Sequence, residues 1–347
     1  MEDAKMGKWS RAELKESFDK LMDVTDRCFI SDPFDLTDWL HCYTDDVVWH
    51  DLGSGFNNGW DQELNGRVAV NQWLTASLSA AKASPLNAGP PDTEMKYWPV
   101  PWYILDEERG WALCEWQNRM RDPGTGAVFE EKCYSQLIYG GNGQWRFEAD
   151  IYNPTRLRMM KVRWLNARRQ AEAANIPMPP LDLDWGLRLV DQEKELGQSW
   201  SREEIQRAFD KYIACAQGKP EDHANCFTDD AAYRELGFGF QNGWQEEIRG
   251  RKTILNWFTQ RSNTFPDNQR QLVPVSWHVI DETRGWVVFE CLNQMQDPGN
   301  GTVFQMRSFS RMKYAGNDQW HFKEDIYDPV KMRGMFERWR EVHDSLK

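Results

Sequence analysis

At 347 residues the chain is long enough for two domains of ordinary size, and its net charge of -12 argues against the basic surface that nucleic-acid binding requires. No apolar run reaches membrane-spanning length, and the opening MEDAKMGKWSRAEL lacks a basic leader or an apolar core, so a soluble, cytoplasmic protein is expected. Seven cysteines without a Cys-x-x-Cys spacing fit reduced, mostly buried thiols, while nineteen tryptophans suggest flat walls for a large apolar ligand.

The first element is a helix opening at Trp9-Ser10-Arg11-Ala12-Glu13-Leu14, where Ser10 and Glu13 have capping-box spacing and Trp9 can staple onto Leu14. Trp200-Ser201-Arg202-Glu203-Glu204-Ile205 repeats that signal. Thr44 to Trp73, TDDVVWHDLGSGFNNGWDQELNGRVAVNQW, likewise returns as Thr228 to Trp257, TDDAAYRELGFGFQNGWQEEIRGRKTILNW, so one unit is used twice. Within it a strand alternating through Val47, Trp49 and Asp51 enters a glycine loop, and an amphipathic helix follows Gly66-Arg67. The first copy carries loop insertions around Ile30 to Asp38 and between Ser84 and Asp92.

A meander follows in both halves. In the first, Val100 to Leu105, Trp111 to Arg121, Val128 to Tyr139 and Gln144 to Tyr152 are strands separated by glycine-rich turns, as in antiparallel hairpins. Helices followed by long, curling strands predict α+β domains with helices on the concave side of each sheet. A closing helix runs from Pro154 to about Ala174, and Pro329 to Leu346 is its counterpart. The expected domains are 1–176 and 199–347, joined by a linker at 177–198 in which Leu187 to Leu196 could be helical.

This order of elements, with its Asp-Asp strand, glycine loop, Gly-Arg helix and a last strand reading Trp-x-Phe-x-x-Asp-Ile-Tyr, resembles the SnoaL-like branch of the nuclear transport factor 2-like superfamily, in two tandem copies. The resemblance implies cone-shaped domains, each with a deep pocket between helices and sheet. Members of similar layout include ketosteroid isomerase, polyketide cyclases, scytalone dehydratase, limonene epoxide hydrolase and lyases that remove formaldehyde from lignin-derived diaryl compounds; others only bind proteins. The isomerase's base corresponds to Asp51 and Glu235, and its helical tyrosine to Tyr212, where the first copy has Leu21. Its second, protonated acid falls near Glu131, where the second copy has Met306. The cyclases' acid after the tryptophan of the last strand corresponds to Asp150 or Asp325.

Read as residues, Asp51 shares a strand face with Val47 and Trp49 and is expected in the helix-covered hollow, where a carboxylate among rings has a raised pKa suited to proton transfer. A structural cap for the glycine loop is the alternative. Glu235 has the same reading, supported by Tyr212 as donor to a developing oxyanion. Glu131 alternates with apolar Phe129, Cys133 and Leu137 and is either a buried acid without an evident partner or, in another register, solvated. His50 is a candidate by adjacency to Asp51, although neighbouring strand residues face opposite ways unless a bulge re-aims one. Strict alternation puts Asp150 on the outer face and makes Glu324, in place of Ala149, a secondary inward candidate. Trp60, Trp102, Trp244 and Trp277, shared between copies, and Trp98, present only in the first, are the candidate ring-binding residues.

No histidine has a second ligand at metal spacing, and no phosphate loop or nucleophile elbow is present, so neither metal nor cofactor is expected. The expectation is a cofactor-independent lyase or isomerase acting by carboxylate acid–base chemistry on a bulky aromatic small molecule, such as a lignin-derived diaryl or phenolic compound. The competing class is a non-catalytic ligand-binding or protein-docking module. The two halves are expected to pair through their sheet faces as a pseudo-dimer, with homo-oligomers also open.

Overall fold

A computed structural model of the chain describes residues 9–30, 35–56, 62–79, 94–181, 200–239 and 247–347. Trp60, Trp244 and the connecting helix expected at Leu187 to Leu196 lie outside the described residues. The chain divides into two compact units, Met1–Asp191 and Gln192–Lys347.

In unit 1, helix α1 (Arg11–Ile30) and the short α2 (Thr37–Leu40) lead into strand β1 (Tyr43–Asp51), the brief β2 (Glu63–Asn65) and helix α3 (Arg67–Ser79). Then come β3 (Met95–Tyr97), β4 (Trp102–Asp106), β5 (Trp111–Met120), β6 (Glu130–Gly141), β7 (Gln144–Tyr152) and the closing helix α4 (Pro154–Ala173). Unit 2 repeats the series as α5 (Arg202–Ala216), α6 (Pro220–Ala224), β8 (Phe227–Glu235), β9 (Glu247–Arg249), α7 (Arg251–Asn263), β10 (Arg270–Asp281), β11 (Trp286–Met295), β12 (Gln305–Gly316), β13 (Gln319–Ile326) and α8 (Pro329–Ser345). Each unit is α+β.

The meander strands pair antiparallel, but the first long strand of each unit lies parallel to the last, β1 beside β7 and β8 beside β13. A meander reading does not supply that pairing, because it joins strands at opposite ends of the unit's sequence. Its consequence is to put Asp51 opposite Asp150, and Glu235 opposite Asp325. Unit 2 runs β10 unbroken where unit 1 has β3 and β4. Pro99 and Pro101 both fall in the unit 1 gap, whereas β10 contains a single proline, Pro274, and a second missing ladder donor is enough to interrupt pairing.

Helix α5 is capped as expected, Ser201 accepting from the Glu204 N–H at 3.1 Å, and Ser10 accepts from Glu13 N–H at 3.2 Å in the first copy. Trp9, however, packs against the Tyr139 ring at 4.9 Å and over the turn at Gly110. Gly110 has φ +69, and a Cβ there would fall 2.3 Å from the indole, so the turn requires glycine twice over. Trp200 repeats this seat above Gly285.

The core of each unit lies between its early helices and one face of its sheet. In unit 1 it joins Leu14, Phe18 and Leu21 of α1 to Ala112, Cys114, Leu137 and Trp145. In unit 2, Ile205, Phe209 and Tyr212 meet Val287, Met312 and Trp320. Trp145 and Trp320 are fully buried. All seven cysteines are free, and five of them are buried. Among the described residues, no helix is long and apolar enough to cross a membrane.

Candidate active site

The site is set by a bulge in the last strand of each unit. Opposite β12, Phe322 pairs with Lys313 but Trp320 pairs with Tyr314, so one residue of β13 is extra. A bulge shifts the side-chain phase of everything after it. Lys323 and Asp325 therefore join Trp320 on the helix-covered face, and both line a cavity. The same shift lies between Trp145 and Phe147 in β7 and turns Glu148 and Asp150 inward. Asp150 belongs to an interior network with Trp49 and Ser135 rather than to the outer face, which corrects the strict-alternation reading. Glu324 is corrected in the opposite sense: it shares the other face with Arg311, which donates to it at 3.1 Å, and lies 3.6 Å from Arg234.

In unit 2 the cavity encloses about 690 Å³ between α5, α6, α7 and the sheet. Glu235 is 3 % exposed at the end of β8. Its Oε1 accepts from Gly237 N–H at 2.9 Å, while its buried Oε2 has no well-aligned hydrogen-bond partner among the described residues. Burial raises its pKa, against the opposing influence of the Tyr327 hydroxyl and the Gly237 amide. The tyrosine also dictates the glycine, since a Cβ at Gly237 would lie 2.1 Å from Tyr327 Cζ.

Asp325, on the neighbouring strand, is held differently. Ser310 and Tyr233 each donate to it at 2.5 Å, and the Lys323 ammonium is in direct contact with it. Burial alone would raise its pKa, but Lys323 and these hydroxyls outweigh it, and the carboxyl lies below its ordinary value. The site thus holds two adjacent carboxyl groups whose protonation is pulled apart, the arrangement that separates acid from base roles.

Around them stand Tyr212, buried on α5 with its pKa pushed well up by burial and the Asp325 charge, and His223 on α6. His223 stacks on Phe258 at 4.0 Å between ring centroids, and its buried Nε2 has no hydrogen-bond partner among the described residues. Burial, with Lys323 and Arg261 nearby, lowers its pKa to about 3, so it is a neutral imidazole throughout the physiological range.

Among the described residues, unit 1 places the corresponding acids in a network without a cation. Asp51 is 5 % exposed, accepting from Gly53 N–H at 2.8 Å and from the Tyr152 hydroxyl at 3.1 Å. Asp150 accepts from the Trp49 indole at 2.8 Å and from Ser135, and Tyr43 donates to Glu148. Burial and the Asp51 charge raise Asp150 to about 6 even though Ser135 and Trp49 favour its ionised form; burial and Asp150 raise Glu148 well above its ordinary value. Two carboxyl groups side by side in a dry site resist ionising together. The rings of Trp39, Trp49, Phe56 and Trp73 touch one another here, with Trp39–Trp49 at 5.7 Å and Phe56–Trp73 at 4.8 Å.

Residues 197–324 match the family described as SnoaL-like domain. Over those residues the chain is similar to a SnoaL-like domain. The matched residues include Glu235, Tyr212 and most of the cavity lining and stop one residue short of Asp325; unit 1 repeats the same order of elements. No functionally curated protein matches the chain. Among solved structures similar to it are an LEH-like epoxide hydrolase of Mycobacterium tuberculosis (15% identity, 42% of this chain and 98% of that one, TM-score 0.32) and a ketosteroid isomerase-like protein of Catenulispora acidiphila in complex with trimethylamine (15%, 38% and 92%, 0.30). An NTF2-like protein of Anabaena variabilis is similar at 15% identity, over 37% of this chain and 93% of that one, with a TM-score of 0.28. Likenesses of this size say nothing about substrate.

Within unit 2 the structure brings Glu235 and Tyr212 to one cavity. Asp51 is buried at the matching position of unit 1. His50 is not brought to it: it faces away, pairs with Glu63 at 3.0 Å and touches Phe147. Glu131 is buried, but not alone, because Arg156 of α4 donates to it at 2.7 Å; it anchors the closing helix instead of offering a proton. Trp102 and Trp277 sit over the sheet face opposite the core, against Tyr134 and Phe309, Trp102 donating to Glu115 at 2.7 Å. Trp98 joins the rings of unit 1, 4.7 Å from Phe29. Sequence reasoning missed His223, Lys323 and Arg261. The signal was present in the repeat, where Trp39, Glu148 and Ser77 stand at the matching places.

Proposed function

We propose that the chain is a lyase or isomerase of the SnoaL-like kind, working without a cofactor, that moves a proton on a bulky aromatic small molecule held in the cavity of unit 2. The observation that carries this reading is the buried Oε2 of Glu235, which has no well-aligned hydrogen-bond partner among the described residues and belongs to an acid whose pKa is raised by burial. Such a group can take a proton from carbon or hydroxyl near neutral pH. Asp325, held ionised by Lys323, supplies a fixed negative charge that favours cationic character nearby, while Tyr212 and the neutral His223 offer donors for an oxyanion. Phe258, Trp257 and Tyr233 supply ring surface for the substrate. Unit 1, in this proposal, has a structural role.

The test begins with diaryl and phenolic compounds offered to the full chain, followed by chromatography of the recovered ligand. The expected result is a changed product with wild type and unaltered ligand, still bound, with Glu235→Gln. Tight binding of every compound with none altered would favour the binding module instead. Ligand bound only in unit 1 would remove the assignment to Glu235.

A further inference from the structure

Among the described residues, the cavity of unit 2 holds a half-buried guanidinium that its own surroundings do not satisfy. Arg261 projects from α7 into the cavity, with its side chain 23 % exposed, and its nearest carboxylate, Asp267, is 4.0 Å away. Asp267 is also shared with Arg270, at 3.5 Å, and Arg270 has a second partner in Asn293 at 3.1 Å. Lys323 is committed to Asp325. Among the described residues, Arg261 therefore lacks a hydrogen-bonded acid of its own, although a guanidinium offers five donors in a planar fork. It also meets a ring, Trp257, at 5.7 Å. Phe258, one turn back on the same helix, lies across the cavity wall and stacks on His223.

We propose that the ligand of this cavity is an aryl carboxylate, its carboxylate seated on the Arg261 fork and its ring against Trp257 and Phe258, which turns the adjoining part of the molecule toward Glu235. This rests on the assignment of the working site to unit 2 and adds the substrate class. A planar fork matches a carboxylate in two parallel hydrogen bonds, which a neutral isostere does not reproduce. Charge at the wall agrees: Lys219, Arg261, Arg270 and Lys323 line the cavity with Asp267, Asp325 and Glu235, and burial disfavours ionisation of the last of these. The seat belongs to unit 2 alone, because the first copy has Ser77 at the place of Arg261.

The experiment is calorimetric titration of the full chain with 2-naphthoate and with 2-naphthamide, the same ring system without the charge. Wild type is expected to bind the carboxylate at least tenfold more tightly than the amide. Arg261→Met should erase that preference while still binding the amide, Arg261→Lys should keep part of it, and Glu235→Gln should keep it or increase it. Equal affinity of wild type for the two compounds overturns the proposal, as does a preference that survives in Arg261→Met. Loss of amide binding in Arg261→Met would signal a damaged cavity, and Arg261→Lys then decides: a reduced preference supports the fork, and one equal to wild type overturns it in favour of a seat for charge alone. Turnover in Glu235→Gln tests the proton-transfer reading independently, so either can fail while the other stands.

Discussion

Asp150 and Asp325 occupy the same place in two copies of one fold, each facing a serine and an aromatic donor across the sheet, yet they titrate in opposite directions. Burial lifts Asp150 to about 6, and Asp325 is lowered. Burial pushes both acids up, and at Asp150 the Asp51 charge adds to it; at Asp325 the Lys323 cation, where the first copy has Glu148, overrides burial. The two sites also differ in what fills the hollow: touching tryptophans in unit 1, and in unit 2 a cavity of about 690 Å³ where the matching position to Trp39 is His223. A duplicated scaffold thus keeps its acids in both halves, while the sign of one neighbouring charge and the bulk of a few rings decide what those acids can do.

The largest contrast between the halves is expected at Glu235 and Asp51. Glu235→Gln should lower kcat/KM about 10²- to 10⁴-fold, the range for loss of a general acid or base, whereas Asp51→Asn should leave it within about twofold. Equal losses in steady-state assays would mean that both halves work. Next comes Lys323→Met, which leaves Asp325 buried beside Tyr233 and Ser310 without its cation. Removing one partner of a buried pair costs on the order of 3–5 kcal/mol, to be read in denaturant unfolding of the full chain. Asp325, with its lowered pKa, contributes stability that is present above the ordinary carboxylate range and lost as pH falls through its folded value. In Lys323→Met that acid limb should disappear, and carbon NMR of the labelled carboxyl should show Asp325 titrating higher.

The reciprocal change is Glu148→Lys. Asp150 and Glu148 have raised pKa values, so folded unit 1 retains protons that the unfolded chain has released, and stability falls as pH rises from the ordinary aspartate value through about 6. Supplying a cation should recover about 1–3 kcal/mol at pH 8 and little at pH 4, which thermal melts at the two pH values would check. A flat difference would mean that a cation at position 148 does not offset the burial of Asp150. The smallest effect belongs where the units agree. Asn153 and Asp328 cap α4 and α8 through the same pair of backbone N–H groups, so Ala at either position should cost a similar amount, about 1 kcal/mol in unfolding.

Much of the candidate site was legible because its first half lies on an unbroken strand. Alternation from Val47 through Trp49 correctly turned Asp51 inward, and the repeat carried the conclusion to Glu235. The second half failed for a local reason: a single extra residue in β7 and β13 reverses every facing after it, and nothing in Trp-x-Phe-x-x-Asp announces a bulge. Glu131 was placed on an apolar face, but its partner Arg156 belongs to the following helix, whose docking no strand pattern describes. Trp102 and Trp277 stand on the sheet face opposite the core, a placement that a tryptophan count cannot indicate because it carries no information about which face of a sheet a ring covers.

The amino-acid order by itself determined the duplication, the α+β class, the succession of helices and strands, and the inward direction of Asp51 and Glu235, since periodicity, turn residues and caps act over a few neighbouring positions. Only the folded structure decided that β1 lies along β7 and β8 along β13, that Asp150 and Asp325 face inward, and that Lys323 meets Asp325 where Glu148 stands beside Asp150. Those outcomes depend on strand register and on charges brought together from distant parts of the sequence, and electrostatic energy in a dry interior follows distance in space.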